Sequence, residues 1–396
     1  MKRLAGSATL VLLAAACSDA PTTAPSAAAA VVPSGAKAAR TGGLGPRAAI
    51  PEHYIVVFND DVGDAPGLAR RIADAHGGAL LQVYDHALKG MAIQIPDAAA
   101  ALLSRLPDVA YVEQDQEMSI DATQSGATWG LDRTDQRNLP LSTTYTYTRN
   151  GAGVFAYIID TGIYTSHSQF GGRATNVYDA FGGTGQDCNG HGTHVAGTVG
   201  SATYGVAKGV SLRGVRVLNC SGSGSTSGII SALNWLAASH ANPAVANMSL
   251  GGGYSSSLNT AVNNVASSGV FMAVAAGNAS SNACNYSPAS AANATTVAAS
   301  TRTDARASYS NYGSCVDLYA PGSSITSTWN NGGTNTISGT SMATPHVTGV
   351  AALYKATYGN ASYSTIRSWL TSNATSGVIT GNPSGTPNRL LYKAGL

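Results

Sequence analysis

Between residues 150 and 360 the chain repeats one pattern: a short apolar run rich in valine and alanine, then a stretch with helical spacing. The runs are GVFAYII at 153–159, LRGVRVLN at 212–219, VANMSL at 245–250, VFMAVAAGN at 270–278, ATTVAAS at 294–300 and VDLYA at 316–320. Continuous rather than alternating, they read as strands covered on both faces. Residues 226–240 and 255–268 predict helices between them, and 342–357 a longer, apolar one. The expected fold is α/β, a mostly parallel sheet with helices on both faces.

Residues 50–121 follow another rhythm. Strands are predicted at 53–58, 79–85, 90–96 and 109–115, with helices at 66–76 and 97–106. That order makes a small α+β unit of ferredoxin-like type, ahead of a larger domain over 122–396. The first 17 residues read as a signal peptide, with Lys2 and Arg3 before an apolar stretch too short to span a bilayer. Ala14-Ala15-Ala16 before Cys17 also resembles a lipoprotein processing site. A free secreted product and one tethered by lipid at Cys17 therefore both stay open. Residues 18–49 are rich in Ala, Pro, Ser and Thr without periodicity and read as a disordered linker.

Charge divides along the chain. Residues 48–121 carry 12 acidic and 4 basic side chains, whereas 122–396 carry 7 Asp, no Glu and 13 Lys and Arg. Opposite signs suit two segments that must dock. With a net charge of +2 and no basic cluster, nucleic acid is not an expected partner, and a monomer is the expected state. Four cysteines follow Cys17: Cys188, Cys220, Cys284 and Cys315. They lack zinc-ligand spacing, and an even set in an exported chain favours disulfides, with three pairings open.

Three segments carry candidate chemistry: IIDTGI at 158–163, NGHGTHVAGT at 189–198 and SGTSMATPHVTG at 338–349. They order Asp160, His191 and Ser341 as acid, base and nucleophile. A serine hydroxyl needs an imidazole to take its proton and a carboxylate to orient that imidazole. Asp160 falls at the C-terminal end of a predicted strand, where open α/β sheets build their sites. Ser341 falls at a predicted helix N-terminus, with its N–H free to donate to an oxyanion; Pro345 is tolerable because it falls near the first turn. His194 and His346 read as packed core histidines rather than ligands or second bases.

With these motifs, residues 122–394 resemble the subtilisin-like serine proteases, closest to the aqualysin-type enzymes of the proteinase K branch, and residues 50–121 resemble their inhibitor-type pro-domain. The resemblance implies a secreted, broad-specificity endopeptidase made as a zymogen, acting on proteins and peptides through an acyl-enzyme. The pro-domain would assist folding and inhibit until cut near Ala122, its tail lying near 118–121. Asn278 resembles the oxyanion-hole asparagine, acting beside the Ser341 N–H. Ser221, Gly222, Ser223 and Gly224 resemble one rim strand of the substrate cleft, and Ser249, Leu250, Gly251 and Gly252 the other. Ala275, Ala276 and Gly277 would line an uncharged main pocket that prefers apolar or aromatic residues. Thr226 replaces the tyrosine lid common among relatives.

The resemblance also implies Cys188–Cys220 and Cys284–Cys315 disulfides, and structural calcium. One calcium site would use Asp317 with the carbonyls of Ala292 and Ala294. A second would use Asp132, Asp135, Gln136, Ser142 and Thr144. Two other readings compete with a hydrolase: a protease-like binding protein, which the intact triad argues against, and transfer of the acyl group to an amine.

Overall fold

The computed structural model describes residues 49–116 and 122–396. The signal peptide, Cys17, nearly all of the linker and the tail at 118–121 lie outside the described residues. Among the described residues, no helix is long and apolar enough to cross a membrane.

Residues 49–116 form a four-stranded antiparallel sheet in the spatial order Ala79–Tyr84, Gly90–Gln94, Ala49–Phe58, Val109–Gln116. Helices Ala65–His76 and Asp97–Leu103 supply the partners of its core, which holds Val56, Phe58, Met91, Ile93, Leu68, Ile72 and Leu103. The first strand starts at Ala49, four residues before the expected start. The second helix ends three residues early.

The larger part is built on a nine-stranded sheet. From one edge the strands run Ala174–Asp179, Ser211–Arg216, Phe155–Asp160, Ala244–Met248, Phe271–Ala275, Thr295–Ser300, Leu318–Pro321, Arg389–Leu390 and Thr375–Ser376. All neighbours are parallel except the last pair. Helices Thr226–Ser239 and Ser256–Ser267 join the strands, each capped by a serine (Ser225, Ser255) that accepts from the first turn. Both disulfides form, Cys188–Cys220 with Cα atoms 4.9 Å apart and Cys284–Cys315 at 5.3 Å.

Two helices bring the motifs to the sheet. His191–Gly200 is glycine-rich, which costs an isolated helix about 1 kcal/mol per glycine. Packing explains it. A Cβ at Gly192 would lie 2.2 Å from the Gly162 carbonyl oxygen, and one at Gly197 would lie 2.1 Å from Thr328 Oγ1. Only bare backbone lets the helix lie this close to the loop after Asp160 on one side and to the strand Ile325–Thr328 on the other. The second helix, Thr340–Tyr358, is buried along most of its length. It begins two residues before the expected start, so Pro345 is its sixth residue and lies beyond the first turn.

His194 and His346 are buried on these helices. His194 Nε2 donates to Ile325 O (3.0 Å) and His346 Nδ1 to Met342 O (2.9 Å). Burial lowers both pKa values from 6.5 to about 4. The unfolded chain therefore binds more protons than the native one between pH 6.5 and 4. Stability should be fully present above pH 6.5 and decline through this window, by up to about 3 kcal/mol per ring. Denaturant unfolding of a Ser341→Ala protein measures the decline. Its NMR spectrum should show both rings neutral at pH 5; titration near 6.5 would contradict the assignment.

Candidate active site

Asp160 ends the strand Phe155–Asp160 and is fully buried. Its Oδ1 accepts from Thr161 N and from His191 Nδ1, both at 2.8 Å. Its Oδ2 is buried without a protein partner. His191 is the first residue of its helix, with a quarter of its side chain exposed. Burial disfavours its charged form. The charge and hydrogen bond of Asp160, with the charge of Asp187, outweigh that and raise its pKa above 6.5.

Ser341 is the second residue of the helix Thr340–Tyr358, so its N–H has no intrahelical acceptor. Its hydroxyl donates to Ser249 O at 3.1 Å rather than to His191. Its carbonyl is also released, because Pro345 has no N–H to offer the residue four positions back. Ser249 Oγ donates to that carbonyl at 2.7 Å. Asn247 Nδ2 donates to Ser249 Oγ (2.8 Å), and Thr348 Oγ1 to Asn247 Oδ1 (2.9 Å). This buried relay returns to the helix that carries Ser341. Sequence reasoning missed Asn247 and Thr348; the one available signal was polar side chains inside otherwise apolar runs.

Asn278 Oδ1 accepts from Thr340 N and Thr340 Oγ1, both at 2.9 Å, which turns Nδ2 the other way. A Cβ built on Gly339 would lie 3.4 Å from Asn278 Nδ2 and 3.6 Å from Ser341 N. The two donors thus flank one small space left by a missing side chain. That arrangement can hold an oxyanion.

Two cavities adjoin this point and share Leu250, Gly251, Gly252 and Gly253 as a common wall. One, of about 330 Å³, is bounded by Ala275, Ala276, Gly277 and Ala289, with Asn278 and Ser341 on its lining and no charged side chain. The other, of about 610 Å³, holds His191 and Thr226, with Ile229 and Leu258 among its apolar lining. Ser221, Gly222, Ser223 and Gly224 also line it, but not as one continuous rim strand. Ser221 and Gly222 form a turn closed by Asn219, whose Oδ1 accepts from Ser221 N and Ser223 N.

The expected calcium ligands are otherwise engaged. Asp317 Oδ1 accepts from Arg367 Nε and Nη2 (2.8 and 2.5 Å), and Oδ2 accepts from Thr296 N (2.8 Å). A cation already neutralises this carboxylate, so the set with Ala292 and Ala294 does not fit calcium unless the guanidinium leaves. Asp132, Gln136, Ser142 and Thr144 do meet, but as a hydrogen-bonded knot. Asp132 accepts from Ser142 N, Ser142 Oγ and Thr143 N, and Gln136 Oε1 from Ser142 N. Ser142 Oγ and Thr144 Oγ1 bond each other, and Asp135 Oδ2 accepts from Thr146. Their oxygens face protein donors, the wrong environment for a cation. Among the described residues no group of three or more His, Cys, Asp or Glu could hold a metal.

Comparison with known proteins agrees with this architecture. Residues 151–392 match the Subtilase family, and residues 53–121 match Peptidase inhibitor I9. An extracellular serine proteinase of Thermus sp. (strain Rt41A) is 52% identical over 88% of this chain and 91% of its own. Proteinase R of Parengyodontium album is 45% identical over 87% of this chain and 89% of its own. The crystal structure of a cold adapted subtilisin-like serine proteinase superposes with a TM-score of 0.67 at 53% identity, covering 68% of this chain and 99% of that one. The chain belongs to the subtilase family of serine proteases and carries an I9-type inhibitor segment ahead of its peptidase region.

Proposed function

We propose that this protease is a secreted, broad-specificity endopeptidase made as a zymogen, with Asp160, His191 and Ser341 as acid, base and nucleophile. The observation that carries the reading is convergence. The Asp160–His191 pair and the N-terminus bearing Ser341 open onto adjoining cavities with a shared wall. Secretion rests on the leader and on the extracellular description of the Thermus relative.

In this mechanism Ser341 turns from Ser249 O toward His191, gives its proton to the ring and attacks the scissile carbonyl carbon. The oxyanion takes hydrogen bonds from Ser341 N–H and Asn278 Nδ2. His191 then protonates the leaving amine, and the acyl-enzyme is released by water in the reverse sequence. Asp160 holds the tautomer that leaves Nε2 free to accept. The uncharged lining of the 330 Å³ cavity favours apolar or aromatic residues before the cut. Residues 50–121 serve as the intramolecular inhibitor, supported by the I9 match. Calcium is common in subtilases, but neither expected site enters this reading, because their carboxylates already hold protein donors.

A fluorophosphonate should label Ser341 and abolish peptide hydrolysis; an unlabelled, active protein would refute the assignment. Asn278→Ala should lower kcat about 10²–10³-fold with little change in KM.

The base must be neutral to accept a proton, so kcat/KM should rise with pH through a pKa displaced above 6.5. A peptide library should show cuts after apolar or aromatic residues. Dominance of Lys or Arg would overturn the pocket reading.

A further inference from the structure

The proposed reaction leaves one buried carboxylate beside the site unused. Asp187 is 6% exposed and lies four residues before His191. Its Oδ1 accepts from Thr161 Oγ1 (2.9 Å), Asn189 N (2.9 Å) and Gly190 N (2.8 Å). Its Oδ2 accepts from Thr193 N (2.9 Å) and Thr193 Oγ1 (2.5 Å). These donors are not one local turn. Thr161 is the residue after Asp160, while Gly190 and Thr193 flank His191. Thr161 Oγ1 also accepts from Gly192 N at 2.9 Å.

The acid and the base are therefore joined twice: once by their own hydrogen bond, and once through Thr161 and Asp187. Part of this is helix capping. Gly190, at the N-cap, has no side chain to offer; Asp187 takes the N–H groups of Gly190 and Thr193 instead, while His191 N donates to Asn189 Oδ1 (3.2 Å). A cap alone does not account for Thr161, which belongs to the strand side. The neighbouring Cys188–Cys220 bridge and the Asn189 Nδ2 bond to Cys220 O (2.9 Å) fix the same loop from outside.

We propose that Asp187 is a positioning residue of the catalytic pair, locking the loop after Asp160 to the first turn bearing His191 so that the ring meets its carboxylate in one orientation. The proposal rests on the assignment of Asp160 and His191 as acid and base. The groups facing His191 are Asp160, Asp187 and His194, and the Asp187 charge adds to that of Asp160 in favouring the imidazolium.

Two variants of the full chain, self-processed and quantified by fluorophosphonate titration, test it with a short chromogenic peptide from pH 5 to 9. Asp187→Asn should lower kcat about 10- to 100-fold, as expected for a misplaced base, with KM nearly unchanged. It should also move the acid limb of kcat/KM to lower pH, because a negative charge near the ring is lost. Thr161→Val keeps that charge while cutting the strand-side link. It should lower kcat with the acid limb unmoved, and it decides the matter if Asp187→Asn does not fold. Parental kcat in Thr161→Val, or an Asp187→Asn enzyme whose only change is a lower Tm, would reduce Asp187 to a helix cap and overturn the proposal. A parent whose Ser341 resists the fluorophosphonate would overturn the triad assignment itself, and this proposal with it.

Discussion

A fully buried carboxylate at a strand end constrains everything around it. Asp160 is removed from water, and a charge there is tolerable only with hydrogen-bond donors held against it. Thr161 N supplies one and the His191 ring the other. The second must be delivered by a different element, 31 residues further along the chain. The helix that delivers it can approach only because Gly192 and Gly197 present bare backbone to Gly162 and Thr328. Glycine thus lowers intrinsic helix propensity for the sake of proximity. Sheet, loops and long-range packing supply the stability that the segment lacks by itself.

The same reasoning applies to the serine. A proline at the sixth position of a helix is normally a defect, since it orphans the carbonyl of the preceding turn. Here the orphan is Ser341 O, and Ser249 Oγ occupies it, itself held by Asn247 and Thr348. The lost backbone bond becomes a side-chain bond that ties Ser341 to the cleft wall. Thr340 does the corresponding work on the other side by fixing Asn278 through both its N–H and its hydroxyl. Ser341 and Asn278 are therefore each held through a neighbour. This is what electrostatic preorganisation requires in atoms.

Much of this was legible in the sequence. Six apolar runs placed the central strands, and the motifs placed Asp160 at a strand end and Ser341 at a helix start. What escaped has a common cause. The strand Ala174–Asp179 and the helices Trp129–Asp135 and Tyr363–Asn373 carry too little apolar periodicity to stand out. The carboxylates of Asp317 and Asp132 resemble calcium ligands in the sequence, which shows the anion and hides its partner. Arg367 is 50 residues from Asp317, and the Ser142 and Thr143 N–H groups turn toward Asp132 only once the loop is folded. Ser221 and Gly222 read as rim strand, yet Asn219 alone closes them into a turn.

That hidden pairing gives the charge division along the chain a sharper meaning. Residues 122–396 hold seven aspartates and no glutamate, and all seven are engaged internally. Asp160 bonds His191, and Asp187 accepts from five donors. Asp132 and Asp135 hold the 142–146 loop. Asp179, Asp304 and Asp317 pair with Arg216, Arg133 and Arg367. Each is buried or half-buried at its side chain or residue. The negative charge of this part of the protein is thus spent on holding loops and the site, and little of it faces solvent. The pairs withdraw cations as well: Arg133 is fully buried with Asp304, and Arg216 and Arg367 are held by Asp179 and Asp317. With only seven acids, all engaged internally, this part of the protein offers little fixed negative charge to oppose an acidic segment such as 48–121, which has 12 acids against 4 bases.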